Sequence, residues 1–180
     1  PSIILCKHQS AWETIALQRI FPAQVFIIKR ELVWLPFFGW ALATCDPIAI
    51  DRKAGKTALR QVVDQGRERL ESGRWVVIFP EGTRSRTGAL LPFKKGGFIM
   101  AIKGGAAIVP VAIQGTSAAM RKGSPIIRPV VVSVRLGSPI ETEGHTVKDR
   151  DTLIAATRTV VQGLLEAGPI SVEAGANHPH

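Results

Sequence analysis

Tyrosine is absent from this 180-residue chain, cysteine occurs twice, and acidic residues are scarce, 14 against 23 Lys and Arg. Each shortage excludes something. Cys6 and Cys45 lie far apart, with no Cys-x-x-Cys spacing and no histidine cluster. That argues against a disulfide or a metal site, and both are expected to be free, buried thiols in a reducing compartment. No run of about 18 apolar residues occurs, so nothing reads as a membrane span, and no signal peptide is visible. Ser10 lacks the Gly-x-Ser-x-Gly elbow of a serine nucleophile. Gly55-Lys56-Thr57 ends like a phosphate-binding P-loop, but Ile50 stands where its first glycine belongs, which removes nucleotide binding. A pI of about 10.3 invites a nucleic-acid reading. The missing tyrosines and the lack of any recognisable nucleic-acid module weigh against it.

What is present is a chain of ordinary hydrophobic content, 46%, long enough for one domain with a real core. Residues 1–168 are expected to form that domain and 169–180 a flexible tail. The chain opens on Pro1 and is almost at once in an apolar, strand-like run. This gives the expectation that an N-terminal segment is missing. The net charge is +9. Residues 51–100 hold eleven Lys and Arg against five Asp and Glu. A basic middle implies an anionic partner.

Ser2–Cys6, Val25–Ile28, Pro47–Ile50, Trp75–Phe79, Ile108–Ile113 and Val130–Leu136 read as strands. Ser10 is placed to cap a helix from near Ala11, with Glu13 in its first turn. Leu59, Val62, Val63 and Leu70 predict a helix over Thr57–Leu70, stopped by Gly73. Helices are also expected over Phe93–Lys103 and from Thr146 or Asp149 to Gly168-Pro169. Leu32–Ala43 is apolar and aromatic, broken by Pro36 and Gly39. The alternation predicts an α/β three-layer sandwich, with a largely parallel (mixed) central sheet flanked by helices. Functional loops then gather at the carboxyl ends of the strands.

His8 and Glu81 both follow predicted strands. An ideal helix turns about 100° per residue, so positions five apart do not share a face. His8 and Glu13 therefore meet only if the histidine sits in the loop and the glutamate on the first helical turn. Glu13 then accepts from Nδ1, fixes the tautomer, and leaves the other nitrogen to act as a general base. The plain alternative is a strand-end histidine beside a helix-capping acid. Arg84, in a turn after a buried strand, offers a guanidinium fork for a phosphate. Lys29 and Arg52 stand at two other strand ends. The alternative for each is a solvated surface cation. Glu81 is read either as an ion-pair partner of Arg84 or as a bond to a substrate hydroxyl.

Four ordered blocks carry a resemblance. His8 is followed after four residues by the acid Glu13. Lys29, Leu32, Gly39 and Arg52 keep the spacing Lys-x2-Leu-x6-Gly-x12-Arg. Phe79-Pro80-Glu81-Gly82-Thr83-Arg84-Ser85 and Val109-Pro110-Val111 follow. The chain resembles the glycerolipid acyltransferase family, and within it the bacterial-type 1-acylglycerol-3-phosphate acyltransferases. One departure is the acid, which in that family is usually Asp. The resemblance implies transfer of a fatty acyl group from an acyl thioester, acyl-ACP or acyl-CoA, to the sn-2 hydroxyl of lysophosphatidic acid, giving phosphatidic acid. It implies His8 as base, Glu13 as its orienting partner, and Lys29, Arg52, Glu81, Gly82, Thr83 and Arg84 around the acceptor. Backbone amides near Gly82 are candidates to stabilise the oxyanion. No metal, no cofactor beyond the thioester co-substrate and no nucleic acid are implied. Acyltransferases of glycerol-3-phosphate or of another lysolipid share these motifs, and a non-catalytic lipid- or nucleic-acid-binding protein is the alternative of a different class.

The segment Val33–Trp40 is dense in Trp and Phe, which suits a bilayer interface as well as a packed core. A lysolipid acceptor favours contact with a membrane surface. By resemblance that surface is the cytoplasmic face of a bacterial inner membrane, reached peripherally or through the missing segment.

Overall fold

The computed structural model describes residues 1–51, 54–85, 88–120, 124 and 126–168. In chain order the described strands are β1 (Ile3–Cys6), β2 (Gln24–Lys29), β3 (Ile48–Ile50), β4 (Trp75–Ile78), β5 (Ile108–Gln114) and β6 (Ser133–Leu136). The helices are α1 (Trp12–Ile20), α2 (Phe38–Thr44), α3 (Lys56–Glu71), α4 (Gly96–Gly104), α5 (Thr116–Ala119) and α6 (Arg150–Glu166). The strands form one sheet in the order β3-β2-β4-β1-β5-β6. All neighbours are parallel except the β5–β6 pair.

The apolar run Ile3–Cys6 is buried at every position because β1 lies in mid-sheet, covered on both faces. Side chains alternate across a strand. Ile3 and Leu5 join Val76, Ile78, Phe98, Met100, Val62 and Leu153 in a core under α3, α4 and α6. Ile4 and Cys6 join Val77, Val109, Val111 and Leu17 on the opposite face, under α1, α2 and the 3-10 turn Arg30–Trp34. The expected three layers and mixed sheet are both present.

Four expectations change. Gly39 does not break the aromatic segment. It lies inside α2, where a Cβ would stand 2.2 Å from the Val33 carbonyl oxygen, so the close approach of two backbones requires glycine. The helix expected from Phe93 starts at Gly96. The amides of Leu91 and Lys94 are committed elsewhere, to the Glu81 carboxylate and to Pro80 O. The last strand begins at Ser133, because β5 ends at its partner Gln114 and leaves Val130–Val132 unpaired with it. Cys45 is exposed, whereas Cys6 is buried as expected. Burial, and then the nearby Glu13 and Glu81 charges, push the Cys6 thiol well above its usual range. The Pro169 end of α6 and the tail 169–180 lie outside the described residues.

Candidate active site

The parallel strands β3, β2, β4, β1 and β5 all point one way, so their carboxyl ends form one edge. The loop after β1 carries His8, and the loop after β4 carries Glu81, Gly82, Thr83 and Arg84. Lys29 is the last residue of β2. The pairs Leu5↔Ile78 and Phe26↔Val77 set Lys29 level with Lys7, two strands away. At about 4.8 Å per strand this is roughly 10 Å across the edge. Lys29 is exposed and Arg84 partly so. Arg52 lies outside the described residues.

His8 and Glu13 meet as the strand–loop–helix layout requires. Nδ1 of His8 lies 2.6 Å from Oε2 of Glu13. A carboxylate only accepts, so the shared proton is carried on Nδ1 and Nε2 keeps its lone pair. The His8 side chain is 16% exposed and that of Glu13 is 0% exposed. The imidazole is therefore reachable while its partner is sealed. One face of the imidazole stacks on Phe79, with ring centroids 3.9 Å apart.

Glu13 sits at the start of α1, where free helical amides favour an acid. Its Oε1 accepts from the backbone N–H of Gln9 at 2.9 Å and of Ser10 at 3.0 Å, and from the Thr116 hydroxyl at 2.5 Å. Ser10 itself caps little. Its hydroxyl donates to Met120 O at 2.8 Å and accepts a long 3.3 Å contact from Trp12 N–H.

The two loops are tied through the main chain of His8. Its N–H donates to Glu81 Oε1 at 3.2 Å, and its C=O accepts from Ser85 N–H at 2.9 Å. The second Glu81 oxygen accepts from Leu91 N–H at 2.9 Å. Glu81 is buried, and both its oxygens face main-chain donors. Beneath the loop Lys7, also buried, donates from Nζ to Gly88 O. Burial lowers the Lys7 pKa, and the Glu81 and Glu13 charges oppose that shift. The Gly82 amide closes a turn on Phe79 O at 2.9 Å, so it is not offered to an incoming oxyanion.

Thr116, Phe79 and Lys7 were not singled out by the sequence. Thr116 carries a weak signal, a hydroxyl residue directly after a glycine at the end of a strand beside β1. Phe79 opens the Phe79–Ser85 block and Lys7 directly precedes His8, but nothing in either residue type announces a role.

Fold and site together define a class: α/β proteins whose site lies across the carboxyl edge of a parallel sheet, around an imidazole held by an acid. Within that class the chain belongs to the acyltransferase family, whose model matches residues 1–114. It is 50% identical over 112 residues to a 1-acyl-sn-glycerol-3-phosphate acyltransferase of Pseudomonas aeruginosa, covering 62% of this chain and 44% of that protein. It is 36% identical over 154 residues to the protein of the same name from Saccharomyces cerevisiae, covering 83% of this chain and 50% of the relative. The chain thus spans about half the length of these curated relatives. The crystal structure of the 1-acyl-sn-glycerophosphate (LPA) acyltransferase PlsC from Thermotoga maritima superposes with a TM-score of 0.75 at 28% identity. That match covers 92% of this chain and 65% of the solved one.

Proposed function

We propose that residues 1–168 are the catalytic domain of a 1-acyl-sn-glycerol-3-phosphate acyltransferase. The domain moves a fatty acyl group from acyl-CoA or acyl-ACP to the sn-2 hydroxyl of lysophosphatidic acid and forms phosphatidic acid. The observation that carries this reading is the 2.6 Å His8–Glu13 contact, with the Arg84 loop hydrogen-bonded to the main chain of the same histidine.

Nε2 of His8 takes the hydroxyl proton as the oxygen attacks the thioester carbonyl. Glu13 holds the imidazolium that forms. The tetrahedral intermediate collapses, the carbon–sulfur bond breaks, and the leaving sulfur recovers the proton from His8. No acyl-enzyme is needed. Arg84, Lys29 and Arg52 hold the acceptor phosphate and thereby place the hydroxyl at Nε2, an orientation effect that ranks with the base itself. Thr83 borders that phosphate on the same loop.

The acceptor lies in a bilayer, and the surface beside the site suits one. Trp34, Phe37 and Trp40 are 67%, 78% and 62% exposed, so these aromatics do not serve the core. The Arg30 guanidinium lies over the Trp34 ring at 5.3 Å, placing a cation where anionic headgroups meet the interface. Among the described residues no helix is long and apolar enough to cross a membrane. The described residues then meet the bilayer through this exposed aromatic surface, at the cytoplasmic face of a bacterial inner membrane.

Thiol release from acyl-CoA and acyl-ACP, measured against lysophosphatidic acid, glycerol-3-phosphate and other lysolipids, tests this. Lysophosphatidic acid is expected to give the highest kcat/KM. Arg84→Ala is expected to raise the KM for that acceptor roughly tenfold or more, with the donor KM unchanged. Turnover with another headgroup alone overturns the acceptor. Unchanged acceptor kinetics remove Arg84 from the phosphate site.

A further inference from the structure

We propose that Thr116 is a positioning residue for the base, acting on His8 through Glu13. The proposal rests on the reading of His8 given above, and it adds a third residue to the pair. Thr116 and Glu13 are both fully buried, and the hydroxyl donates to Oε1 at 2.5 Å.

The two carboxylate oxygens face different side chains, and the Gln9 amide reaches both, at 2.9 and 3.1 Å. Oε2 faces the imidazole. Oε1 is held by Thr116 together with the amides of Gln9 and Ser10. A glutamate has three side-chain torsions, and the backbone amides come only from its own loop. Among the described residues, Thr116 adds the one anchor from a distant segment, 103 residues away in the chain. It ties the carboxylate to the segment directly after β5, the strand next to β1. Its own aim is fixed twice. A β-branched side chain has few χ1 options. Gly115, with φ +93°, turns the chain so that α5 starts on Thr116, and a Cβ at Gly115 would strike the Val131 carbonyl oxygen at 2.5 Å.

Removing the hydroxyl therefore does two things. The carboxylate loses an anchor, and the imidazole is less well aimed, so kcat falls. Oε1 also loses a donor that draws off its charge, so the His8–Glu13 pair holds its proton to higher pH. Among the described residues, the charged groups that face the pair are Lys7, directly after β1, and Glu81 on the β4 loop, with the buried Cys6 thiol beside them. A substitution at Thr116 leaves all three in place.

The test is Thr116→Val, which keeps the shape and removes the hydroxyl, beside Thr116→Ser, which restores it. In thiol-release kinetics Thr116→Val is expected to lose about tenfold in kcat, the size of one hydrogen bond to a charged group. Both KM values are expected to stay, and the acid limb of kcat/KM to move to higher pH. Serine is expected to recover both effects. An unmoved limb, an unchanged kcat or failure of serine to recover them overturns the proposal. The downfield proton resonance of the His8 Nδ1–H, assigned by its loss in His8→Ala, gives a readout that needs no turnover. It is expected to shift in Thr116→Val and return in Thr116→Ser. An unshifted resonance overturns the positioning role. Absence of acyl transfer in the parent, with the resonance still responding, overturns instead the function assigned to the site. Thr116→Ala removes the same hydroxyl and carries the test if the valine variant does not fold.

Discussion

Replacing His8 with alanine is expected to cut acyl transfer at least about a hundredfold while leaving the fold intact. The two halves of this expectation have separate grounds. Activity depends on the ring, because Nε2 is the nitrogen left with a lone pair once Glu13 fixes the proton on Nδ1. Stability depends on the main chain, because the ties to Glu81 and Ser85 run through the His8 N–H and C=O, which alanine keeps. Glu13 also keeps its bonds from Gln9, Ser10 and Thr116. What the fold loses is the Nδ1 bond to the buried Glu13, whose donors from Gln9, Ser10 and Thr116 remain, and the stack on Phe79, worth about 0.5–1.5 kcal/mol beyond its buried area. Thiol release and thermal melting on the same preparation check both halves. A variant that keeps a tenth or more of parental kcat removes His8 as the base. A variant that melts much earlier shows that the ring carries structure as well.

The parts of the site legible in the sequence are the local ones. His8 and Glu13 are five residues apart across a strand–loop–helix junction, and their meeting follows from where helix α1 begins. The shared edge of His8 and Arg84 follows from strand alternation, since both loops leave parallel strands. Long-range partners left no such trace. Thr116 reaches Glu13 from the far end of β5, and nothing in the type of a threonine announces that contact. Lys7 stands directly before His8 in the sequence, yet it is buried and donates to Gly88 O, because an ammonium on a long stem can find a carbonyl that composition does not reveal. The aromatics at 34–40 are equally suited to a core and to an interface, and only their exposure separates the two. The start of α4 differs from the expected one for a related reason. Helical periodicity runs back to Phe93, but the amides of Leu91 and Lys94 satisfy the β4 loop instead.

Glu81 sharpens the difference between a motif and its physics, and it leads to the second large effect. Its place beside Gly82-Thr83-Arg84 suggests a group that touches substrate or pairs with the arginine. Its geometry suggests a strut, with one oxygen on the His8 N–H and the other on the Leu91 N–H. We expect Glu81→Ala to leave both donors without partners, at roughly 1–3 kcal/mol each. It also strips the buried Lys7 of one of the two carboxylates that offset its desolvation. The denaturant midpoint is therefore expected to fall without a change in slope. Catalysis is expected to fall through kcat and acceptor KM together, because the loops of His8 and Arg84 lose their common tie. Glu81→Gln separates the ideas further. An amide has one accepting oxygen, so it keeps one of the two bonds and turns an N–H group toward the other donor. An intermediate loss in both stability and kcat is the strut's signature. A group that merely met a substrate hydroxyl predicts a raised acceptor KM at unchanged stability in both variants, and that outcome would return Glu81 to the binding surface.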